Sequence, residues 1–189
     1  MTRAICVAGP AGSGKTTLGG ALARATGAAV VDLDVLTNPL LAVVADLVGA
    51  GEDLDHPSLR GPVREARYAC LVDTAAAQLE LGHDVVLVAP FTAESAESGR
   101  WQALTSRLRR AGADRVHLVW LDLPANLLEA RLRARGAVRD AARLADPAAL
   151  ARWVEQARPP QVPALRVDAS QPVDLQVGAV LRALAHPDT

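Results

Sequence analysis

Short apolar runs alternate along the chain with longer segments in which apolar residues recur every three or four positions. Short runs bounded by turn residues are typical of buried strands, and the longer spacing is typical of helices with one buried face. Strands are predicted over residues 4–8, 28–33, 84–89, 116–121 and 164–168. Helices are predicted over residues 17–25, 39–48, 60–81, 101–111, 124–135, 147–157 and 173–185.

The regular alternation of strands and helices predicts an α/β fold, in which helices cover both faces of a parallel sheet. No repeat, low-complexity tract or interdomain linker interrupts the pattern. Because 189 residues fit one domain, residues 1–189 are interpreted as a single domain.

Composition narrows the classes of protein that the chain can represent. Half of the residues are hydrophobic, so a packed core is expected and wholesale disorder is not. Twenty basic and twenty-one acidic residues leave a formal charge of −1, which gives no electrostatic reason to expect a nucleic-acid partner. No apolar run reaches the length of about 18 residues that a membrane span needs, and no targeting pattern is present. The expected location is therefore the cytoplasm.

A glycine-rich loop follows the first predicted strand. It reads Gly9-Pro10-Ala11-Gly12-Ser13-Gly14-Lys15-Thr16, which matches the pattern G-x-x-x-x-G-K-[ST] in full. Lys15 is the only lysine among the twenty basic residues, since all the others are arginine. A compact ammonium suits a tight cavity lined by backbone amides better than a guanidinium does. The alternative is a glycine-rich turn that precedes a helix by chance.

This pattern predicts a site for a nucleoside triphosphate with Mg²⁺. Glycines let successive N–H groups point at phosphate oxygens, and the following helix N-terminus adds partial positive charge. Lys15 is expected to reach the β- and γ-phosphates, and the Thr16 hydroxyl to bind Mg²⁺. The predicted nucleotide-binding residues here are Gly9, Ala11, Gly12, Ser13, Gly14, Lys15, Thr16 and Thr17. A GTPase is excluded, because its Asn-Lys-x-Asp loop would need a second lysine.

Two aspartates, Asp32 and Asp34, end the second predicted strand. Strand ends in an open α/β sheet face the ligand crevice, and alternate side chains of a strand share a face. We therefore expect Asp32 to support Mg²⁺ together with Thr16, and Asp34 to accept the proton of an acceptor hydroxyl. Either aspartate could instead cap a helix or lie in a turn.

Three arginines, Arg131, Arg135 and Arg139, lie in or just after the helix predicted over residues 124–135. A spacing of four places Arg131 and Arg135 on one helix face, and a helix break near Gly136 would let Arg139 lie on a closing lid, over about residues 136–147. Guanidinium groups there would stabilise charge on a migrating phosphoryl group. A solvated arginine-rich helix face is the alternative.

Candidate acceptor residues lie near the helix that precedes the third strand. Arg60, Arg64 and Arg67 share one face of the helix predicted over residues 60–81. An anionic acceptor is expected if Arg60 or Arg64 faces the crevice, although a solvated stripe has the same spacing. No acidic residue follows the third strand before Glu94. This disfavours a motor-type ATPase, which needs a carboxylate there to position water.

The glycine loop and the order of elements resemble the small P-loop kinases of the shikimate kinase, gluconate kinase and chloramphenicol phosphotransferase type. The resemblance implies a three-layer P-loop NTPase fold with an arginine-bearing lid and a five-stranded parallel sheet of order 2-3-1-4-5. It also implies ATP with Mg²⁺ as the donor and a small hydroxyl-bearing molecule as the acceptor. By the family pattern, Asp34 corresponds to the carboxylate that meets the acceptor hydroxyl. Arg131 and Arg135 resemble the lid arginines, which lie near adenine and phosphate. Gln171 and Pro172 resemble the adenine loop.

The sequence therefore predicts an ATP-dependent phosphotransferase that moves the γ-phosphate of ATP to a hydroxyl of a small metabolite. Two alternatives stay open: a nucleotide-binding ATPase or switch module without a dedicated acceptor, and a nucleoside monophosphate kinase. Neither a nucleic acid nor a membrane is an expected partner. Both a monomer and a homodimer are compatible with the sequence.

Overall fold

Five parallel strands form the centre of the computed structural model, which describes residues 1–51, 56–136 and 159–185. The strands are β1 (Arg3–Ala8), β2 (Ala29–Asp32), β3 (Val85–Val88), β4 (Arg115–Asp122) and β5 (Leu165–Asp168). Their order across the sheet is β2-β3-β1-β4-β5, and every neighbouring pair is parallel. The predicted α/β fold and strand order are therefore confirmed.

Seven α-helices lie within the described ranges, together with a 3₁₀ turn (Pro57–Leu59). They are α1 (Lys15–Thr26), α2 (Leu33–Leu47), α3 (Pro62–Glu80), α4 (Thr92–Ala96), α5 (Ser98–Arg110), α6 (Ala125–Arg135) and α7 (Val173–Ala185). None of these helices has the length and apolar content needed to cross a membrane.

Strand β1 is buried on both faces of the sheet. Ile5 and Val7 pack into one core with apolar side chains of α1 and α7, whereas Ala4 and Cys6 pack into a second core with those of α3 and α5. Alternate residues of a strand point to opposite faces, so a strand between two helical layers must be apolar at every position. This requirement explains the unbroken apolar run that follows Arg3.

Helix α1 packs unusually close to β3 at Gly19. A Cβ atom built on Gly19 would lie 2.4 Å from Cγ2 of Val88, a separation that real Cβ atoms do not show. A glycine is therefore required here by the approach of the helix to the sheet. The close approach holds α1 beside the end of β3.

The structure corrects the predicted boundary between the second strand and its helix. Strand β2 ends at Asp32, and α2 begins at Leu33 instead of Pro39. Oδ1 of Asp32 accepts hydrogen bonds from the backbone N–H groups of Asp34 (2.9 Å) and Val35 (3.3 Å). This N-cap starts the helix early and places Asp34 in its first turn, so the prediction that Asp34 ends the strand is wrong.

One other boundary differs, one helix was not predicted, and part of the prediction falls on residues outside the described ranges. Helix α3 begins at Pro62, so Arg60 does not lie on it, contrary to the prediction. The short helix α4 was not foreseen. The predicted helix over 147–157, Arg139 and all of the predicted lid beyond Gly136 lie outside the described residues.

Candidate active site

The glycine-rich loop connects β1 to α1 at the carboxyl edge of the sheet. Gly9, Gly12 and Gly14 have φ values of 142°, 80° and 99°, a region that side-chain-bearing residues rarely adopt. A Cβ on Gly12 would also lie 3.0 Å from Cδ2 of Leu132 in α6. Glycine is therefore needed both for the curl of the loop and for its packing under α6.

The first turn of α1 is open to an anionic ligand. Gly14 is the N-cap, it supplies no side-chain cap, and the turn contains no acidic residue. The Ser13 hydroxyl is buried, and Oγ has no hydrogen-bond partner among the described residues. Unsatisfied amides at a helix N-terminus and an unpartnered buried hydroxyl are groups that phosphate oxygens satisfy. The loop therefore fits the triphosphate that its sequence predicts.

Lys15 and Thr16 begin α1 and point to different neighbours. The Lys15 ammonium donates to the carbonyl oxygen of Pro10 at 2.8 Å and so lies over the loop. The Thr16 hydroxyl donates to Oδ2 of Asp32 at 2.8 Å. A hydroxyl and a carboxylate oxygen side by side are the hard oxygen ligands that Mg²⁺ prefers. Thr16 and Asp32 therefore fit the predicted metal position, although no cluster of three or more His, Cys, Asp or Glu side chains occurs in the described residues.

Asp34 lies beside this position, on the first turn of α2. Its Oδ1 accepts a hydrogen bond from Nη2 of Arg67 at 2.9 Å, and 51% of its side chain is exposed. Arg67 also donates to Oγ1 of Thr37 (2.7 Å) and to Oδ1 of Asn38 (2.8 Å). The guanidinium of α3 therefore holds the Asp34 carboxylate at the carboxyl edge of the sheet, next to the loop.

A second acidic group, Glu94, lies on α4 after β3. Nη2 of Arg64 lies 3.1 Å and 3.2 Å from the two Glu94 carboxylate oxygens. The Arg64 guanidinium also stacks 4.1 Å from the centre of the Tyr68 ring. The Tyr68 hydroxyl accepts a hydrogen bond from the backbone N–H of Phe91 at 3.0 Å. These contacts link α3 to the segment that leaves the sheet after β3.

Burial and the Glu94 carboxylate together disfavour further negative charge in this region. Burial raises the pKa of the Tyr68 hydroxyl well above its usual range, and the charge of Glu94 raises it further. The same two causes, in the same order, raise the pKa of the Cys6 thiol on β1. Both groups are therefore neutral in the folded protein at physiological pH.

A cavity of about 360 Å³ opens on the other side of the glycine loop. Its lining includes Gly12, Gly14 and Thr17 from the loop and α1, Arg131 from α6, and Gln171 and Gln176 from the last segment. Arg131 donates to the carbonyl oxygens of Ser13 (3.1 Å) and Ala169 (2.8 Å). Arg131 thus connects the phosphate loop to the segment after β5.

The loop after β5 is shaped by its own polar side chains. The Ser170 hydroxyl donates to the Asp168 carboxylate at 2.6 Å and the Gln171 side chain donates to it at 3.0 Å, so the pKa of Asp168 lies below its usual range. The Pro172 carbonyl accepts from the backbone N–H of Gln176, and the Gln176 side chain donates to the carbonyl of Gln171 at 2.7 Å. Gln171 of this loop lines the cavity. The contact of Gln171 and Pro172 with adenine, which the family resemblance implies, stays a prediction.

The other predicted residues lie in different places. Arg60 is exposed in the turn before α3. Arg135 ends α6, but its side chain is not among those described. Three contributors were not foreseen at the site: the contact of Arg67 with Asp34, the pairing of Arg64 with Glu94, and Gln176. The two arginines pair with residues 33 and 30 positions away, so only the order of the strands could have indicated these contacts.

The fold and the glycine loop place the chain in the P-loop NTPase class. The chain belongs to the AAA domain family, whose model matches residues 5–160. No curated protein sequence matches the chain.

Three solved structures that this fold resembles are kinases. A sugar kinase from Janibacter sp. HTCC2649 superposes with a TM-score of 0.65 at 21% identity, over 98% of this chain and 95% of its own. A gluconokinase from Sinorhizobium meliloti 1021 superposes with a TM-score of 0.61 at 21% identity, over 97% of this chain and 92% of its own. Shikimate kinase from Aquifex aeolicus vf5 superposes with a TM-score of 0.54 at 19% identity, over 97% of both chains. The predicted resemblance to small P-loop kinases is confirmed at the level of fold.

Proposed function

We propose that the chain is an ATP-dependent phosphotransferase that moves the γ-phosphoryl group of ATP to a hydroxyl of a small molecule. The proposal rests on one observation: the phosphate loop and the Asp34 residue lie at the same edge of the sheet. The phosphate loop ends with Thr16 at 2.8 Å from Asp32, and Asp34 follows two residues later beside the same crevice. A phosphate site next to a second carboxylate is the arrangement that a hydroxyl acceptor needs. The kinase neighbours in fold support the same reaction class.

The loop residues bind and neutralise the donor. The open first turn of α1 and the buried Ser13 hydroxyl hold the phosphate oxygens. When the donor binds, the Lys15 ammonium leaves the Pro10 carbonyl and binds the β- and γ-phosphates. The cavity beside Arg131 and Gln171 receives the nucleoside. Thr16 and Asp32 would hold Mg²⁺, which when bound neutralises charge on the β- and γ-phosphates.

Asp34 orients the acceptor and takes its proton. The acceptor oxygen forms a bond to the γ-phosphorus while the bond from that phosphorus to the β-γ bridging oxygen breaks, and ADP leaves with the bonding electron pair. The hydroxyl proton passes to the Asp34 carboxylate. Arg67, at 2.9 Å from that carboxylate, fixes its orientation.

A metabolite screen tests this function directly. The chain is incubated with MgATP and a small-molecule extract, and products that gain the mass of one phosphoryl group are sought, with Lys15→Ala as the inactive control. We expect one acceptor class to be phosphorylated and to raise ADP release well above the rate without acceptor. Tight MgATP binding without any phosphorylated product would contradict a phosphotransferase and would favour the switch alternative.

A further inference from the structure

Helix α2 is apolar on the face that it turns to solvent. Its inner face packs through Leu33, Leu41 and Ala45 against the rest of the chain. Its outer face carries five large apolar side chains that are between 37% and 81% exposed: Val35, Leu36, Leu40, Val43 and Leu47. No other helix in the described part of the chain exposes more than two such side chains. A helix that is apolar on both faces is typical of a buried element, so the outer face of α2 is expected to be covered by a partner.

Four of these side chains form a straight stripe along α2. Leu36, Leu40, Val43 and Leu47 follow one another at intervals of four, three and four residues. This spacing keeps the side chains on one line of the helix, and it is the pattern found at the seam between two paired helices. The outer face of α2 is therefore suited to packing against another helix.

The stripe is complementary to itself when a second α2 lies antiparallel to the first. A two-fold axis between Leu40 and Val43 places Leu40 opposite Val43 of the second copy, and Leu36 opposite Leu47 of the second copy. Every side chain of the stripe then meets another large apolar side chain. The antiparallel orientation also places the positive end of each helix dipole beside the negative end of the other.

Charge and area favour a second copy of this chain as the occupant. The charged residues of α2 are Asp34, which pairs with Arg67, and Asp46. The helix therefore lacks the basic residues by which amphipathic helices bind lipid surfaces. The stripe exposes on the order of 500 Å² per copy, or roughly 1,000 Å² for a pair, which is about the smallest area of a specific interface. Such an area is compatible with a reversible dimer.

We propose that the chain forms a two-fold symmetric dimer in which the α2 stripes of two copies pack against each other in antiparallel orientation. The proposal goes beyond the phosphotransferase function and does not depend on it. The dimer covers the outer face of the helix that carries Asp34 in its first turn. An element of the candidate active site is thereby packed on both faces.

Sedimentation velocity of the unmodified protein tests the dimer without any measurement of activity. We expect the mass to rise from that of one chain to that of two chains between about 0.1 µM and about 500 µM protein. The mass of a single chain at every concentration would overturn the proposal. Binding of the single chain to phosphatidylcholine vesicles through α2 would also overturn it, since a lipid surface would then be the occupant. Neither result bears on the phosphotransferase proposal.

Leu40→Glu tests whether the stripe forms the interface. Leu40 is 72% exposed in the single chain, so the substitution removes little internal packing and places a carboxylate at the centre of the proposed interface. The dissociation constant of the dimer should rise at least about a hundredfold, because the change occurs twice in a two-fold dimer. Leu81→Glu is the matched control, since Leu81 is 69% exposed but follows α3, and it should leave the dissociation constant unchanged. Equal effects of the two substitutions would overturn the proposal.

A mixture of two variants tests the antiparallel register. Leu40→Glu protein and Val43→Lys protein should form a mixed dimer more tightly than either variant pairs with itself, because the introduced carboxylate and ammonium face each other. A parallel pair would bring position 40 of both copies together and give no such preference. Absence of a preference would therefore overturn the antiparallel arrangement. Circular dichroism checks that both variants fold, and if Leu40→Glu does not, the concentration series on the unmodified protein still decides whether a dimer forms.

Discussion

At the scale of single residues, the proposed function assigns Lys15 to binding of the donor phosphates. Its ammonium lies 2.8 Å from the Pro10 carbonyl, above a loop whose curl leaves little room for a larger cation. Lys15→Ala should reduce phosphoryl transfer at least about 10²-fold, because a donor to the developing phosphate charge is lost. Lys15→Arg keeps the charge but should also lose most activity, since the planar guanidinium does not fit the same cavity. Transfer rates and ATP affinity by calorimetry measure both effects. Full activity in Lys15→Arg would show that charge alone suffices.

The proposed function assigns Asp34 to the acceptor side, and its contribution can be separated from nucleotide binding. Asp34→Asn keeps the size of the side chain and its oxygen for Arg67, but removes the base. Transfer should fall about 10²–10⁴-fold while MgATP affinity stays unchanged. Asp32→Asn is the comparison variant. Because Asp32 contacts Thr16 at the proposed metal position, this variant should instead need a higher Mg²⁺ concentration for activity. Unreduced transfer in Asp34→Asn would remove Asp34 from the mechanism.

At the scale of elements, the packing of α1 on β3 sets the position of the phosphate loop. A Cβ on Gly19 would lie 2.4 Å from Val88, whose branched side chain is buried and stiff. Gly19→Ala should therefore lower the free energy of unfolding by about 1–3 kcal/mol, measured by urea titration. Gly20→Ala is the matched control, since the nearest atom there is the end of the Arg24 side chain at 3.8 Å.

The control substitution should change the free energy of unfolding in the opposite direction. Gly20→Ala should raise stability by up to about 1 kcal/mol, because alanine favours the helix and meets no obstacle. The Gly19→Ala penalty should also shrink in a Val88→Ala background, which removes the colliding methyl group. Equal effects of the two glycine substitutions would mean that α1 does not lie as close to β3 as described.

The elements also show what could be predicted from the sequence. The glycine loop and the apolar runs are local patterns, and the fold that they predict is confirmed, whereas the donor site that they predict stays a prediction. The predicted start of α2 was wrong because Pro39 marks a helix start by local rules, whereas the Asp32 cap starts the helix at Leu33, six residues earlier. The Arg64 and Glu94 pair is separated by thirty positions. No local pattern indicates such a pair, which exists only because β2 and β3 are neighbours in the sheet.

At the scale of the whole molecule, the parallel topology collects the chemistry at one edge. Every strand ends at that edge, so residues after β1, β2 and β3 meet although they are distant in sequence. The core beneath is apolar, it includes the buried Cys6, and the partly buried Tyr68 packs against it. Both side chains ionise at alkaline pH. The chain contains one tyrosine, one lysine and two cysteines, so few side chains titrate there. The change in the free energy of unfolding at alkaline pH therefore reports how strongly this core keeps Cys6 and Tyr68 protonated.

Burial, and secondarily Glu94, raises the pKa of Cys6 and of Tyr68 above their ordinary values of 9.0 and 10.0. As the pH rises past those values, the unfolded chain releases these protons while the folded chain keeps them. The free energy of unfolding is therefore fully retained below about pH 9 and should fall above it, by up to about 1.4 kcal/mol per pH unit for each group. Urea titrations from about pH 8 to about pH 11 under reducing conditions measure this slope. Cys6→Ala should flatten it between the two ordinary values, whereas Cys70→Ala, at an exposed position, should leave it unchanged. Parallel slopes for both variants would mean that the Cys6 thiol is not protected by the core.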